Sequence, residues 1–196
     1  MLPQKHELFR RMPLNPKLLP LMRKLLGEDC VMSSLNGLTM SPGGDTQKLH
    51  LDQHEHVPGV VININALHAL DDFTKANGCT RVVPFSHDRP PGTPIDHEQD
   101  ERDAVYLEAP AGSVIAFNGG LVHAGSANTT QGLRRCLHFY YTRPWVRTQW
   151  DYPASFSPDV VAGLSDEQKR LFGFYSPEQR YDYRTHDVQR GRAIPA

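Results

Sequence analysis

Residues 113–143 read SVIAFNGGLVHAGSANTTQGLRRCLHFYYTR, two segments rich in β-branched and aromatic residues joined by a glycine- and asparagine-rich connection. Such segments are typical of β-strands, and the residues between them are typical of turns. Further short segments have the same character: CVMSSLNGLTM, TQKLHLDQHEH, GVVININALHAL, CTRVVPF and AVYLEA. Many short strands separated by turns predict a mainly β fold, a sandwich or a barrel.

Helical patterns flank these segments. In LNPKLLPLMRKLLGED (14–29), apolar residues recur at close to helical period, and Gly27 stands where a helix C-cap would. SDEQKRLFG (165–173) opens on a Ser-Asp N-cap and closes on a glycine. The proline-bearing, acidic stretch 89–103 is typical of a long surface loop. We therefore expect one domain over residues 1–196, with a flanking helix in 1–28, a β core in 29–145 and a helical or coil extension in 146–196.

Composition excludes several classes of protein. The 21 Lys and Arg residues balance 22 Asp and Glu residues to a net charge of −1, and the basic residues are scattered. This pattern argues against binding to nucleic acid or to a membrane surface. The apolar stretches are too interrupted for a membrane span. Three cysteines without a CxxC pair indicate no disulfide framework, which fits a reducing cytoplasm, and ten histidines are a first hint of metal chemistry.

The segment QKLHLDQHEH (47–56) contains the candidate metal ligands. On a β-strand, His50 and Asp52 leave the same face, so one imidazole and one carboxylate can meet at one ion. These are two-thirds of a facial triad, which leaves three adjacent positions open on iron(II). The best third ligand is His123, which follows the segment SVIAF and a turn and begins a loop that leads to the last strand.

Three other histidines compete for the ion. Three protein ligands leave a metal open for catalysis, whereas a fourth would close it. We therefore interpret His54 and His56 as polar residues at the mouth of a cavity. His138, on the strand RRCLHFYYTR, is interpreted as a core residue or as one that supports a ligand.

Taken in order, H-x-D at 50–52, LDDFTKANGCTRVVPFSH (70–87) and PAGSVIAFNGGLVHAGSANTTQGLRR (110–135) resemble the phytanoyl-CoA dioxygenase family of non-haem iron(II)/2-oxoglutarate oxygenases. The resemblance extends from about Leu8 to about Leu171. It implies a double-stranded β-helix, or jelly-roll, with iron(II) bound by His50, Asp52 and His123. It also implies oxidation of a C–H bond in a small-molecule substrate, most simply hydroxylation, with O2 consumed and succinate and CO2 released from 2-oxoglutarate.

The same resemblance assigns residues to 2-oxoglutarate. Family members have an arginine eleven residues after the second histidine that pairs with the far carboxylate of the cosubstrate, and here that residue is Arg134. A planar guanidinium matches a carboxylate with two parallel hydrogen bonds. Its neighbour Arg135 is expected on the opposite face of the strand. Gln47 and Thr80 match positions that contact 2-oxoglutarate in some relatives.

The chain also departs from the family pattern. Phe85 replaces a glycine and Leu67 replaces a common tryptophan, and we expect both at the substrate pocket or its rim. Gly125 replaces a serine that helps to hold the cosubstrate in some members, and Ser126 is one position late. Family members usually have some fifty or more residues before the segment matching HELFRRMPLNPKLLPLMRKLLG, and three explanations stay open: a short member, a lost N-terminal region, or a surface that another subunit covers. An uncovered sheet edge or apolar face tends to associate, so a homodimer is an expectation.

Two other functions fit parts of the sequence. A metallo-hydrolase could use the row HLDQHEH, although its order is inverted relative to the HxHxDH signature and no HExxH helix occurs. A jelly-roll that binds a ligand without turnover is the second alternative. The residue that argues against it is Arg134, since a pocket that only binds a ligand has no special need for an arginine at that spacing.

Overall fold

The structure is a computed structural model that describes residues 1–53, 57 and 59–174, and the backbone of 179–182 and 187–190. Its helices are α1 (Leu2–Lys5), α2 (Glu7–Arg11), α3 (Leu19–Leu26), α4 (His97–Asp103), α5 (Tyr152–Ser155), α6 (Pro158–Ala162) and α7 (Asp166–Leu171). Its strands are β1 (Val31–Met40), β2 (Asn63–Ala69), β3 (Thr80–Val82), β4 (Val105–Tyr106), β5 (Val114–Asn118), β6 (His123–Gly125), β7 (Arg134–Thr142), β8 (Gln179–Asp182) and β9 (Asp187–Arg190). Short 3-10 turns occur at Met12–Leu14 and Ser86–Asp88.

Two antiparallel sheets form the body of the protein. The main sheet has the strand order β1-β7-β2-β5, and the minor sheet has the order β4-β3-β6. The strands that pair in the main sheet lie far apart in sequence, because β1 pairs with β7 and β7 pairs with β2. Residues of both sheets line one common cavity. This arrangement confirms the predicted jelly-roll.

The two faces of the main sheet have different roles. Along β2, alternate side chains leave opposite faces, so Ile64 and Ala66 join the large apolar core while Asn65 and Leu67 face the other way. The core lies between the sheet and the helices and contains an aromatic group formed by Tyr152, Phe156 and Phe172. The helices therefore cover one face of the sheet and leave the other for the cavity.

The predicted helix before β1 is present as α3, and it ends at Gly27 with a φ of 108°. The helix buries Leu19, Met22 and Leu26, whereas Leu21 is 43% exposed. The helix α7 has the predicted start, since the Ser165 side chain accepts from the backbone of Gln168 in a capping box. The region 1–28 holds α1 and α2 in addition to the predicted helix.

Three local predictions need correction. The segment around His50 and Asp52 is not a strand, because only an isolated bridge pairs it with β6. The stretch 89–103 is not all loop, since α4 forms at its end, where the Asp96 carboxylate caps the backbone of Glu98 and Gln99. The extension 146–196 is not only helix and coil, because β8 and β9 pair within it.

Among the described residues, no helix has both the length and the apolar character needed to cross a membrane.

Candidate metal centre

A backbone bridge brings His50 and His123 together. The His50 N–H donates to the His123 carbonyl at 2.9 Å, and the His123 N–H donates to the His50 carbonyl at 3.0 Å. Residues that exchange both bonds in an antiparallel pair stand directly opposite each other. Their ring centroids consequently lie only 4.5 Å apart. The sequence placed His123 at the start of a loop, whereas the structure places it on β6.

Each of these imidazoles is oriented by a backbone carbonyl. Nδ1 of His50 lies 2.9 Å from the Lys48 carbonyl oxygen, and Nδ1 of His123 lies 2.9 Å from the Leu121 carbonyl oxygen. A carbonyl only accepts, so each Nδ1 carries the proton. Both Nε2 atoms are thereby left with a free lone pair, which is the state in which a histidine binds a metal.

The carboxylate of Asp52 lies between the two rings. One oxygen, Oδ1, is 3.8 Å from Nε2 of His50, and the other, Oδ2, is 3.5 Å from Nε2 of His123. Burial raises the pKa of this carboxyl, but the neighbouring His123 and the hydrogen bond from Asn65 outweigh burial and lower the pKa to about 2. The group is therefore an anion at neutral pH.

The three side chains form one potential ligand set. One ligand atom from each of His50, Asp52 and His123 lies within 4.8 Å of the others. Two imidazole nitrogens and a carboxylate oxygen suit iron and other divalent first-row metals. His138 lies on the same cavity, but its Nε2 is bonded to Asn65 at 2.6 Å. His54 and His56 lie outside the described residues.

Backbone and side-chain contacts fix Asp52 although it lies outside any strand. Its N–H donates to the Gly119 carbonyl at 3.1 Å, and its own carbonyl accepts from the Tyr140 hydroxyl at 3.3 Å. Its Oδ2 accepts from Nδ2 of Asn65 at 2.8 Å. Burial raises the pKa of Tyr140 to about 12, so the phenol keeps the proton that it donates.

Arg134 lies on the wall of the same cavity, which has a volume of about 350 Å³. Its guanidinium is buried, stacks 4.5 Å above the Phe73 ring and donates to the Gly78 carbonyl at 2.6 Å. Among the described residues, Nε has no hydrogen-bond partner and no carboxylate pairs with this cation. As predicted, Arg135 points the other way, where it pairs with Asp71 at 2.7 Å.

The other two predicted cosubstrate residues also line this cavity. Gln47 is already engaged, because its Oε1 accepts from the Gly125 N–H at 2.8 Å. A Cβ on Gly125 would lie 2.9 Å from that oxygen, so the glycine makes room for this bond. Thr80 lies on β3 opposite Gly125. Ser126 is buried and its hydroxyl has no partner within the described structure.

A thiol forms part of the cavity wall. Cys136 lies two residues after Arg134 on β7, and its sulfur lies 3.5 Å from Nη1 of that arginine. Burial raises the pKa of the Cys136 thiol. The other two cysteines, Cys30 and Cys79, are also buried and free.

Sequence reasoning missed two residues of this site. Asn65 was missed as a partner of Asp52, although a polar residue within the buried strand NINALHA was a usable signal. Phe117 was also missed, and its ring centroid lies 4.8 Å from that of His123. Of the two unusual residues, Leu67 lines the cavity as expected. Phe85 does not line this cavity and is 77% exposed beside the Ser86–Asp88 turn, so its place at the rim stays a prediction.

The sequence model of the phytanoyl-CoA dioxygenase family (PhyH) matches residues 1–136. The chain belongs to this family. The family assignment agrees with the resemblance carried by the segments at 50–52, 70–87 and 110–135, and it includes both candidate histidine ligands and Arg134.

Individual relatives are distant and longer. The uncharacterized protein Rv1501 of Mycobacterium tuberculosis is 29% identical over 168 residues, which cover 82% of this chain and 61% of that protein. The dioxygenase af480 of Aspergillus fumigatus is 28% identical over 174 residues, covering 87% of this chain and 56% of its own length. This chain therefore spans about three-fifths of the length of these relatives.

Among solved structures, HygX from Streptomyces hygroscopicus with nickel and 2-oxoglutarate bound shares the fold, with a TM-score of 0.64. The identity is 21%, and the match covers 76% of this chain and 70% of HygX. At this identity, the likeness shows a shared fold alone.

Proposed function

We propose that this protein is an iron(II)- and 2-oxoglutarate-dependent oxygenase that oxidises a C–H bond of a small molecule. The observation that carries the proposal is the convergence of His50, Asp52 and His123, with both Nε2 atoms free to bind a metal. In the hydroxylation that we favour, substrate, O2 and 2-oxoglutarate give hydroxylated substrate, succinate and CO2. Membership of the family and the dioxygenase name of the relative af480 support this assignment.

The donor set fits iron(II). His50 and His123 offer neutral nitrogens, and Asp52 offers a charged oxygen, so the three ligands would leave one positive charge on the ion uncompensated. Of the two negative charges of 2-oxoglutarate, one can balance this charge and the other can pair with Arg134. With three protein ligands, the other positions of a six-coordinate ion stay open for small molecules. A closed four-ligand structural site would lack these positions.

The state of Arg134 fits 2-oxoglutarate. A buried guanidinium without a paired anion is costly, since its charge has left water without compensation. The far carboxylate of 2-oxoglutarate would supply this anion through two parallel hydrogen bonds. HygX binds 2-oxoglutarate on the same fold, which supports the assignment. We further propose that the Thr80 hydroxyl and the amide nitrogen of Gln47 contact this cosubstrate from the neighbouring wall.

The residues of this chain would bind the iron, orient the cosubstrate and shield the reacting end of the substrate from water. Bound iron supplies the oxygen chemistry. His50, Asp52 and His123 would hold it at one end of the cavity, and Arg134 would orient the cosubstrate from the side. Phe117 and Leu67 contribute apolar surface to the wall, which limits access of water to the reacting end of the substrate.

The experiment measures 2-oxoglutarate binding to protein loaded with nickel(II) under anaerobic conditions, by calorimetry. The wild type should bind 2-oxoglutarate only with the metal present. Substitution of His50, Asp52 or His123 by alanine should abolish this binding. Arg134→Lys should weaken it by about tenfold or more, because one bidentate pair is lost, whereas the matched Arg135→Lys should leave it unchanged.

Turnover is then followed as oxygen-dependent succinate release with iron(II) and a library of metabolites. The same three alanine variants should show no release with any compound that the wild type oxidises. Metal-dependent binding without succinate release from any compound would favour the ligand-binding alternative. Turnover retained in all three variants, or 2-oxoglutarate binding that ignores the metal, would contradict the proposal.

A further inference from the structure

A series of hydrogen bonds connects Asp52 to His138 on the opposite side of Asn65, and both end residues line the cavity. Oδ2 of Asp52 lies 2.8 Å from Nδ2 of Asn65, and Oδ1 of Asn65 lies 2.6 Å from Nε2 of His138. Asn65 is completely buried on β2, and His138 lies on the neighbouring strand β7. Asn65 and His138, which both lie on strands of the main sheet, are thus linked to Asp52, which lies on an irregular segment.

The direction of every bond in this chain is fixed by chemistry. An ionised carboxylate only accepts, so Asn65 must turn its NH2 group toward Asp52. The amide oxygen then points toward His138 and also only accepts. Nε2 of His138 must therefore carry a proton and donate it. A proton on Nε2 prevents that nitrogen from binding a metal.

These hydrogen bonds fix the orientation of the Asp52 carboxylate, which the irregular segment around Asp52 does not fix by itself. No strand hydrogen-bond ladder runs through Asp52, so its side chain would be free to rotate if the backbone alone fixed it. In contrast, β2 and β7 pair over seven consecutive positions in the centre of the main sheet. Asn65 transmits the rigidity of this sheet to the carboxylate.

We propose that Asn65 and His138 are positioning residues that hold the Asp52 carboxylate in a one-oxygen binding mode; this inference rests on the metal-centre role proposed above. Asn65 occupies Oδ2, which favours ligation through Oδ1 alone. A carboxylate that bound through both oxygens would use one of the positions that the cosubstrate and oxygen need. His138 acts one step further back by fixing the orientation of the Asn65 amide.

The alternative is that the two residues only satisfy each other inside the sheet. Partners behind a metal ligand cost about 10- to 100-fold in metal affinity when they are removed. A pair that serves only the fold would change the free energy of unfolding and leave metal affinity unchanged. The two roles therefore separate in a binding measurement on folded protein.

The experiment titrates cobalt(II) into the metal-free protein without oxygen or 2-oxoglutarate, and follows binding by calorimetry and by the visible spectrum of the ion. Variants are Asn65→Leu, His138→Leu and His138→Gln, which keeps an N–H donor. The matched control is His68→Leu. His68 is buried on the other face of the main sheet from the cavity, and its ring centroid lies 4.1 Å from that of Phe139 in the large apolar core. Circular dichroism and urea unfolding establish that each variant is folded.

We expect Asn65→Leu to weaken cobalt binding by about tenfold or more, and to alter the spectrum of the bound ion. His138→Leu should weaken binding less, His138→Gln should restore it, and the control should bind like the wild type. If Asn65→Leu does not fold, the two His138 variants decide the question alone.

Wild-type affinity in Asn65→Leu and His138→Leu would overturn the positioning role and leave the proposed function standing. Equal loss in His138→Leu and His138→Gln would overturn the role of the His138 proton. A wild type that binds no cobalt would overturn the proposed function itself, and this inference with it.

Discussion

Arg81 donates to both carboxylate oxygens of Glu101, with an Nε–Oε1 distance of 2.7 Å and an Nη2–Oε2 distance of 2.9 Å. The arginine is 2% exposed, and its remaining N–H groups donate to the carbonyls of Gly125 and Gln47. One buried cation therefore joins helix α4 to two segments that border the cavity. The stretch 89–103, predicted as a surface loop, is therefore held to the body of the protein through helix α4.

Glu101→Ala should destabilise the protein, since it leaves a buried guanidinium without its anion. Glu101 is half-exposed, so water compensates in part, and we expect a loss of about 1–3 kcal/mol in the free energy of unfolding. Glu98→Ala is the matched control on the same helix, because the Glu98–Arg102 pair is exposed and such pairs contribute about 0.5 kcal/mol or less. Equal losses in the free energy of unfolding for the two variants, measured in urea, would contradict the stabilising role of the Glu101–Arg81 pair.

Phe85→Gly should stabilise the protein. Phe85 is the one residue other than glycine with a positive φ in the described structure, at 61°, and its side chain is 77% exposed. Left-handed backbone costs a residue with a Cβ roughly 1–2 kcal/mol, of which the flexibility of glycine in the unfolded chain offsets part. We expect a net gain of about 0.5–1 kcal/mol in urea unfolding. A loss of stability would show that the Phe85 ring contributes contacts that outweigh the strain.

Gly78→Ala should be far more harmful than Gly92→Ala. Both glycines have positive φ, at 87° and 78°, but a Cβ on Gly78 would lie 2.6 Å from the Ser126 carbonyl oxygen, whereas a Cβ on Gly92 meets nothing within 4 Å. Gly92→Ala should cost about 1 kcal/mol for backbone strain alone, and Gly78→Ala at least twice as much.

Gly78→Ala also moves the carbonyl that anchors Arg134. We therefore expect weaker binding of 2-oxoglutarate to the nickel-loaded Gly78→Ala protein, and unchanged binding in Gly92→Ala. Similar values for the two variants, in stability and in binding, would contradict this account of the turn.

His68 should make the protein sensitive to mild acid. Burial lowers the pKa of His68 to about 4, and its Nε2 has no partner within the described residues. The unfolded chain takes up the proton near pH 6.5 while the folded protein resists it, so stability falls as the pH drops from about 6.5 to about 4.

His68→Leu removes this dependence. Between pH 7 and pH 5, the wild type should lose about 2 kcal/mol more than the variant in the free energy of unfolding. The measurement is the difference between the two proteins, so titration of other groups cancels. Parallel curves over this range would show that His68 takes up a proton as readily in the folded protein as in the unfolded chain.

The sequence predicted the framework well because its strands alternate or run apolar over several residues. The main-sheet strands β1, β2, β5 and β7 fall within the segments that composition marked. The segment of His50 and Asp52 was wrongly predicted as a strand. A row of alternating residues resembles a strand in sequence whether or not a neighbouring segment pairs with it. Its orientation depends on carbonyls at Gly119 and His123, which are distant in sequence.

Burial of charged and polar residues was beyond sequence reasoning. An arginine in CTRVVPF is expected at the surface, yet Arg81 is buried because α4 brings Glu101 to it. The helix itself was hidden by the prolines before it and by its acidic composition, while its stability depends on the Asp96 cap and on the pairing of Arg89 with Asp100. Long-range contacts of this kind leave no periodic signal.

The Cys136 thiol in the cavity wall should resist oxidation while the protein is handled. A buried thiol of raised pKa, such as that of Cys136, stays protonated at neutral pH, and a protonated thiol is a poor nucleophile and a poor metal ligand. Purification in air without thiol reductants should leave this wall unmodified.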